Sequence, residues 1–181
     1  MPFLSCSKGL EPAMNAVQCL MQAGAHAIKI EGADHSAGLI KHIVQAGVPV
    51  MGHLGLTPQS IHSLGGHRVQ AKAEIDARLL VENASKLEVS GCFSLVLECV
   101  PKKVGECVTN KLSIPTIGIG AGPRTDGQVL VLQDLLGVNP DFNPKFLRRY
   151  ANSHDLILQA VDQYHQDVTT SDFPRLEESY G

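Results

Sequence analysis

The run Phe93-Ser94-Leu95-Val96-Leu97-Glu98, followed by Cys99-Val100-Pro101, decides the fold. A short apolar run with a carboxylate at its end is a strand buried on both faces, the kind found in parallel sheets. Pro101 suits the first turn of a helix, and the spacing predicts one over 102–112. Outward from this unit the same alternation repeats in both directions. Downstream lie a strand at 116–120, a further strand at 128–133 and a helix at 155–168, with Ile157, Ala160, Val161 and Tyr164 on one side. Upstream, an amphipathic helix over 75–90 closes at Gly91, and Val48-Pro49-Val50-Met51 is a strand with Gly52-His53 at its end. A loop bearing glycine and proline runs from Gly52 to about Val69. Before it come a helix over 37–45 closed by Gly47, a strand over 26–31 closed by Gly32, and a helix over 11–23 closed by Gly24. There is no internal repeat and no long polar linker, so one domain is expected over 1–181.

Strands alternating with helices, the strands short and largely apolar, predict a parallel α/β sheet. It is either an open doubly wound sheet or a closed barrel. The first predicts Gly-x-Gly-x-x-Gly after the first strand; the near match, Gly118-Ile119-Gly120-Ala121-Gly122, comes late and with the wrong spacing. The barrel predicts functional side chains where several different strands end. Lys29 and Glu31, then His53, then Glu98 fit that pattern.

Composition removes whole classes of function. A net charge of −3 and 4% aromatic residues leave no basic, aromatic-bearing stripe for nucleic acid. No segment reaches the ~20 apolar residues of a membrane span, and the start lacks the regions of a signal peptide. Cys6, Cys19, Cys92, Cys99 and Cys107 are odd in number and contain no Cys-x-x-Cys pair. They predict reduced thiols and a cytoplasmic location.

Each charged strand end has a structural reading as well as a chemical one. Lys29 and Glu31, two apart on a strand, point to the same face; they either neutralise each other at the mouth or serve a ligand. Glu98, held partly out of water, suits a general base, but an acid ahead of a helix also compensates its dipole. His53 is a hydrogen-bonding group or a satisfied structural histidine; with His62 and His67 its spacing matches no zinc site. The glycine string at 118–122, with Arg124 beside it, either presents amides to an anion or allows close backbone packing.

Read in order, several strings resemble the ketopantoate hydroxymethyltransferase family. They are Lys29-Ile30-Glu31-Gly32, Gly52-His53-Leu54-Gly55-Leu56-Thr57-Pro58-Gln59-Ser60, Gly65-Gly66 with Val69-Gln70, Leu97-Glu98-Cys99-Val100-Pro101, and Ile117 to Gly122 with Asp126-Gly127-Gln128. The resemblance covers nearly the whole chain and weakens after about Gly137.

It implies a (β/α)₈ TIM barrel and, for the full-length family, a homodecamer. It also implies Mg²⁺ and 5,10-methylenetetrahydrofolate, which supplies a hydroxymethyl group to the small 2-oxo acid 3-methyl-2-oxobutanoate. By the same resemblance Glu98 is the catalytic base at C3 of the oxo acid, Lys29 and His53 bind substrate, and Glu31 belongs to the metal site through water. No nucleic-acid or membrane partner is implied.

The departures carry expectations of their own. The family's early Val-Gly-Asp-Ser segment does not occur, and a second metal aspartate would stand just ahead of Met1. A barrel of this type needs ~250 residues, so about the last five of eight β/α units are expected. On these grounds the chain alone is expected to be inactive for want of direct metal ligands. The alternatives are a non-catalytic remnant serving as an assembly partner, or another Mg²⁺-dependent lyase barrel acting on 2-oxo acids. Around Gly66-His67-Arg68-Val69-Gln70-Ala71 the family more often has an aromatic before a lysine and a glycine after the glutamine.

Overall fold

Helices and strands alternate as expected from α1 to β4, and β5 then follows β4 directly, in a computed structural model that describes residues 1–181. The elements are α1 (Leu10–Gln22), β1 (Ile28–Glu31), α2 (Ala37–Gln45), β2 (Val50–Gly55), α3 (Glu74–Val89), β3 (Ser94–Glu98), α4 (Lys102–Lys111), β4 (Thr116–Ile119), β5 (Gly127–Gln128), α5 (Leu132–Leu135) and α6 (Ser153–Thr169). The strands form one five-stranded sheet in the order β1-β2-β3-β4-β5, and every pairing is parallel. Because spatial order follows chain order, every crossover steps the same way round. A doubly wound sheet would reverse direction partway; steady progression is the winding of a barrel. The fold is therefore an arc of a (β/α) barrel, with about five of its units, as expected.

The register separates the two faces of the sheet. On one lie Ile28, Ile30, Val50, Gly52, Leu54, Leu95 and Leu97, and the apolar side chains among them are buried. They pack against Val17 of α1, Ile40 and Ile43 of α2, Leu80, Ala84 and Leu87 of α3, and Val104 and Val108 of α4. At ~25 cal/mol per Å² of apolar surface, this helix-covered layer is the main source of stability. On the other face lie Lys29, Glu31, Met51, His53, Val96, Glu98, Ile117 and Ile119.

Two elements differ from expectation. β2 runs on through Gly55 rather than stopping at Met51, because His53 and Leu54 pair with Val96 and Leu97 of β3. His53 is thus a strand residue and not the start of a loop. The strand expected over 128–133 is only Gly127–Gln128. Val129, Val131 and Leu132 are apolar but exposed, and once the Val129 amide has bonded the Gly118 carbonyl at 3.0 Å the chain leaves β4 and turns into α5.

The chain groups into two compact units, Met1–Val129 and Leu130–Gly181, where one domain over 1–181 is expected from the sequence. The first contains the sheet and its helices. The second contains α5 and α6, and α6 buries none of its residues. Ile157, Val161 and Tyr164 are each more than half exposed, so the apolar side read from the 155–168 spacing exists but has no core beneath it in this unit. Tyr164 packs edge-on against Phe173 at 5.5 Å. No helix of the chain is long and apolar enough to cross a membrane.

Candidate active site

The parallel register brings Lys29, Glu31, His53 and Glu98 to one face of three neighbouring strands. Glu31 stands opposite His53, and His53 opposite Val96, two residues before Glu98. The four side chains make a continuous series. Lys29 Nζ lies 3.7 Å from Glu31 Oε1 and 2.9 Å from His53 Nδ1. His53 Nε2 lies 3.1 Å from Glu98 Oε2. His53 is the best shielded member, with 3% of its side chain exposed, against 12% for Glu31, 18% for Glu98 and 42% for Lys29.

This arrangement sets the tautomer of His53. An ammonium has donors only, so with Lys29 charged Nδ1 must accept, and the proton of the neutral ring sits on Nε2, facing Glu98. Nε2 is nevertheless a buried atom without a hydrogen-bond partner. The carboxylate is close enough, but off the direction that the N–H requires.

Backbone groups with no signature in the sequence finish the site. The Gln59 amide, at the short 3₁₀ turn Pro58–Ser60 after β2, donates to Glu31 Oε2 at 3.0 Å. Its side-chain amide donates to the Met1 carbonyl at 2.8 Å, and the Met1 amino group donates to the Lys29 carbonyl at 3.0 Å. A cavity of about 360 Å³ opens beside Glu31, lined among others by Phe3, Cys6, His35, Gln59 and His62. Burial is the main cause that pushes the Cys6 thiol above its ordinary value. Larger hollows lie along α3, away from the charged strand ends.

As a direct magnesium site these residues do not fit on their own. Mg²⁺ demands near-octahedral oxygen coordination and is usually held through one or two carboxylates with several waters. Here one oxygen of Glu31 faces Lys29 and the other takes the Gln59 amide, and no three His, Cys, Asp or Glu side chains converge on a point. His62 stands in the cavity wall, apart from buried His53.

The glycine string at 118–122 is resolved in favour of close packing. A side chain at Gly122 would meet Cβ of Lys102 at 2.6 Å, and one at Gly105 would run into the Ala121 carbonyl oxygen. Here α4 presses directly on the loop after β4, and Arg124 is exposed. Asp126 is exposed and accepts from the Thr116 amide at 2.8 Å and hydroxyl at 3.0 Å. The five cysteines are free thiols.

A barrel-type sheet that lines up a carboxylate, an imidazole and an ammonium at its strand ends has the layout of an acid–base enzyme. Comparison with known proteins specifies which. The family model for ketopantoate hydroxymethyltransferase matches residues 1–176. A 3-methyl-2-oxobutanoate hydroxymethyltransferase of Coxiella burnetii is 57% identical over 178 residues, which are 98% of this chain and 67% of the relative. The proteins of the same name from Bdellovibrio bacteriovorus and Francisella tularensis are 53% and 51% identical over 180 residues, 99% of this chain and 68% of each relative. The chain belongs to the ketopantoate hydroxymethyltransferase family and spans about two thirds of the length of these relatives. Among solved structures, the YdjI aldolase of Escherichia coli K12 aligns at 17% identity with a TM-score of 0.44, over 67% of this chain and 50% of that one.

Proposed function

We propose that this chain carries the proton-abstracting part of a hydroxymethyl transfer to 3-methyl-2-oxobutanoate, with Glu98 as the base. The observation that carries the reading is the series from Lys29 through His53 to Glu98 on one sheet face, in a chain of this family. Glu98 takes the C3 proton of the oxo acid, and the C–H electron pair moves into an enolate whose oxygen bears the new charge. The Lys29 ammonium, with 42% of its side chain exposed, is free to turn towards that oxygen and offset the charge. His53, its Nε2–H 3.1 Å from Glu98 Oε2, fixes the side of the carboxylate that faces the sheet before the transfer. Water adds to the methylene carbon of 5,10-methylenetetrahydrofolate and both of its C–N bonds break. The two protons of the water pass to the two nitrogens, which leaves tetrahydrofolate and formaldehyde. The enolate carbon then bonds to the formaldehyde carbon, and the formaldehyde oxygen takes the proton held by Glu98 to become the hydroxyl of 2-dehydropantoate. The substrate pair of oxo acid and folate is part of this proposal.

We infer also that the isolated 181-residue chain forms no 2-dehydropantoate, since Glu31 is its one carboxylate at the Lys29 end. The test is a chimera in which the first third of the Coxiella burnetii relative is joined to this chain. The chimera should form 2-dehydropantoate when Mg²⁺ and the folate are supplied, and the chain alone should not. An inactive but folded chimera would contradict the assignment of the chemistry to these residues, and product formed by the chain alone would contradict its inactivity.

A further inference from the structure

The Glu98 carboxylate is placed by its own backbone, and that backbone is gripped from three directions. The Leu56 amide donates to the Glu98 carbonyl at 2.8 Å, the Gln70 amide donates to the Cys99 carbonyl at 2.8 Å, and the Cys99 amide donates to the Ile119 carbonyl at 2.8 Å. Cys99 sits at φ 49, in the left-handed region, so the chain turns sharply straight after the carboxylate. Leu56 and Gln70 are the two ends of the loop that carries Gln59. That loop therefore closes on two consecutive carbonyls while its middle holds Glu31 through the Gln59 amide.

The grip from Leu56 depends on the residue before it. Gly55 has φ 91, which disfavours any L side chain. A Cβ there would also overlap the Glu98 carbonyl oxygen and lie 3.1 Å from its carbonyl carbon. These are backbone atoms of the very residue that bears the carboxylate, and they cannot swing aside. Gly52 on the same strand is different. A Cβ at that position meets Leu87 Cδ1 at 2.9 Å and Leu95 Cδ1 at 3.1 Å, side-chain ends that can yield.

We infer that Gly55 is a positioning residue for Glu98: its missing side chain lets the Leu56 amide fix the Glu98 carbonyl, and with it the carboxylate beside His53. The inference rests on the reading of Glu98 as the base only for its catalytic meaning; the placement itself can be tested separately.

The test uses the whole 181-residue chain with ¹³C-labelled glutamate, the Glu98 carboxylate signal being assigned by its loss in Glu98→Gln. In the unaltered chain His53→Gln should displace that signal, since Nε2 is 3.1 Å away, and the Leu56 amide should exchange slowly. In Gly55→Ala the Glu98 signal should no longer respond to His53→Gln, and Leu56 exchange should speed up by about tenfold or more. Gly47→Ala is the matched control, with the same left-handed backbone (φ 89) but nothing within 4 Å of the added carbon; it should leave both readouts unchanged. If Gly55→Ala does not fold, a backbone ester in place of the Leu56 amide removes the donor without adding a side chain and should abolish the same response. A Glu98 signal that still responds to His53→Gln in Gly55→Ala or in the ester overturns the inference, as does an equal loss in Gly47→Ala. Full activity of the Glu98→Gln chimera would remove the base role but leave these results standing, so the two claims fail separately.

Discussion

The two faces of the one sheet obey opposite rules. The helix-covered face is uniformly apolar and buried from Ile28 and Ile30 to Leu95 and Leu97. The other face carries Lys29, Glu31, His53 and Glu98 in a connected row, with Lys29 beside both Glu31 and His53, and His53 beside Glu98. Alternation along each strand makes this possible, because one backbone serves both faces with no residue doing both tasks. The difference teaches that stability and chemistry are separable here residue by residue, even between neighbours such as Leu97 and Glu98.

The sharpest way to break that separation is at Glu98. In the chimera, Glu98→Gln should lower kcat by about 10²- to 10⁴-fold, the range for loss of a positioned base, with little change in substrate binding. Its stability should change by no more than about 1 kcal/mol, because Gln keeps the shape of a partly exposed side chain. Steady-state kinetics and urea unfolding on the same preparation check both parts.

On the opposite face, Leu97→Ala removes a fully buried side chain and should cost about 2–5 kcal/mol of folding stability. The kcat of the chimera that remains folded should stay within a few-fold of the unaltered value. Urea unfolding of the 181-residue chain gives the first number and kinetics the second. A kcat that collapses while the protein stays folded would show that the two faces are coupled.

A smaller effect belongs to Asp126, which ties β4 to β5 away from the charged row. Hydrogen bonds from the Thr116 amide and hydroxyl hold its carboxyl below the ordinary value of 3.8. A carboxyl lowered in the folded state adds stability that is fully present above its unfolded value, and that stability is lost as pH falls through the lower folded one. Asp126→Asn should therefore flatten the acid limb below about pH 4 in a plot of urea midpoint against pH, leaving the neutral limb parallel to the unaltered chain. The smallest effect is expected at Arg78, whose ion pair with Glu74 lies on the exposed surface of α3. Arg78→Ala should change stability by no more than about 0.5 kcal/mol, measured by thermal unfolding.

Much of the first unit was legible in the sequence because periodicity reports burial directly. The helix read over 37–45 is observed at Ala37–Gln45, and strand ends marked by Glu31 and Glu98 fall where glycine or a turn follows. Strand pairing was less legible. Nothing local told His53 and Leu54 to continue β2, since that depends on Val96 and Leu97 across the ladder. The expected strand at 128–133 failed for the mirror-image reason: its pairing with β4 ends at the Val129 amide, and Val131 and Leu132 beyond it are exposed. For the site, the residue types pointed to Lys29, Glu31, His53 and Glu98, but the bridging place of His53 appeared only with the register. The amides of Leu56, Gln59 and Gln70 were invisible, because every residue but proline carries one.

The role proposed for Glu98 is removal of the C3 proton of the oxo acid from its place beside His53. Its most direct test is the exchange of that proton with deuterium, followed by NMR on 3-methyl-2-oxobutanoate in heavy water with the chimera and no folate present. Steady exchange is expected, falling by about 100-fold or more in Glu98→Gln. Exchange that continues undiminished in Glu98→Gln would contradict it.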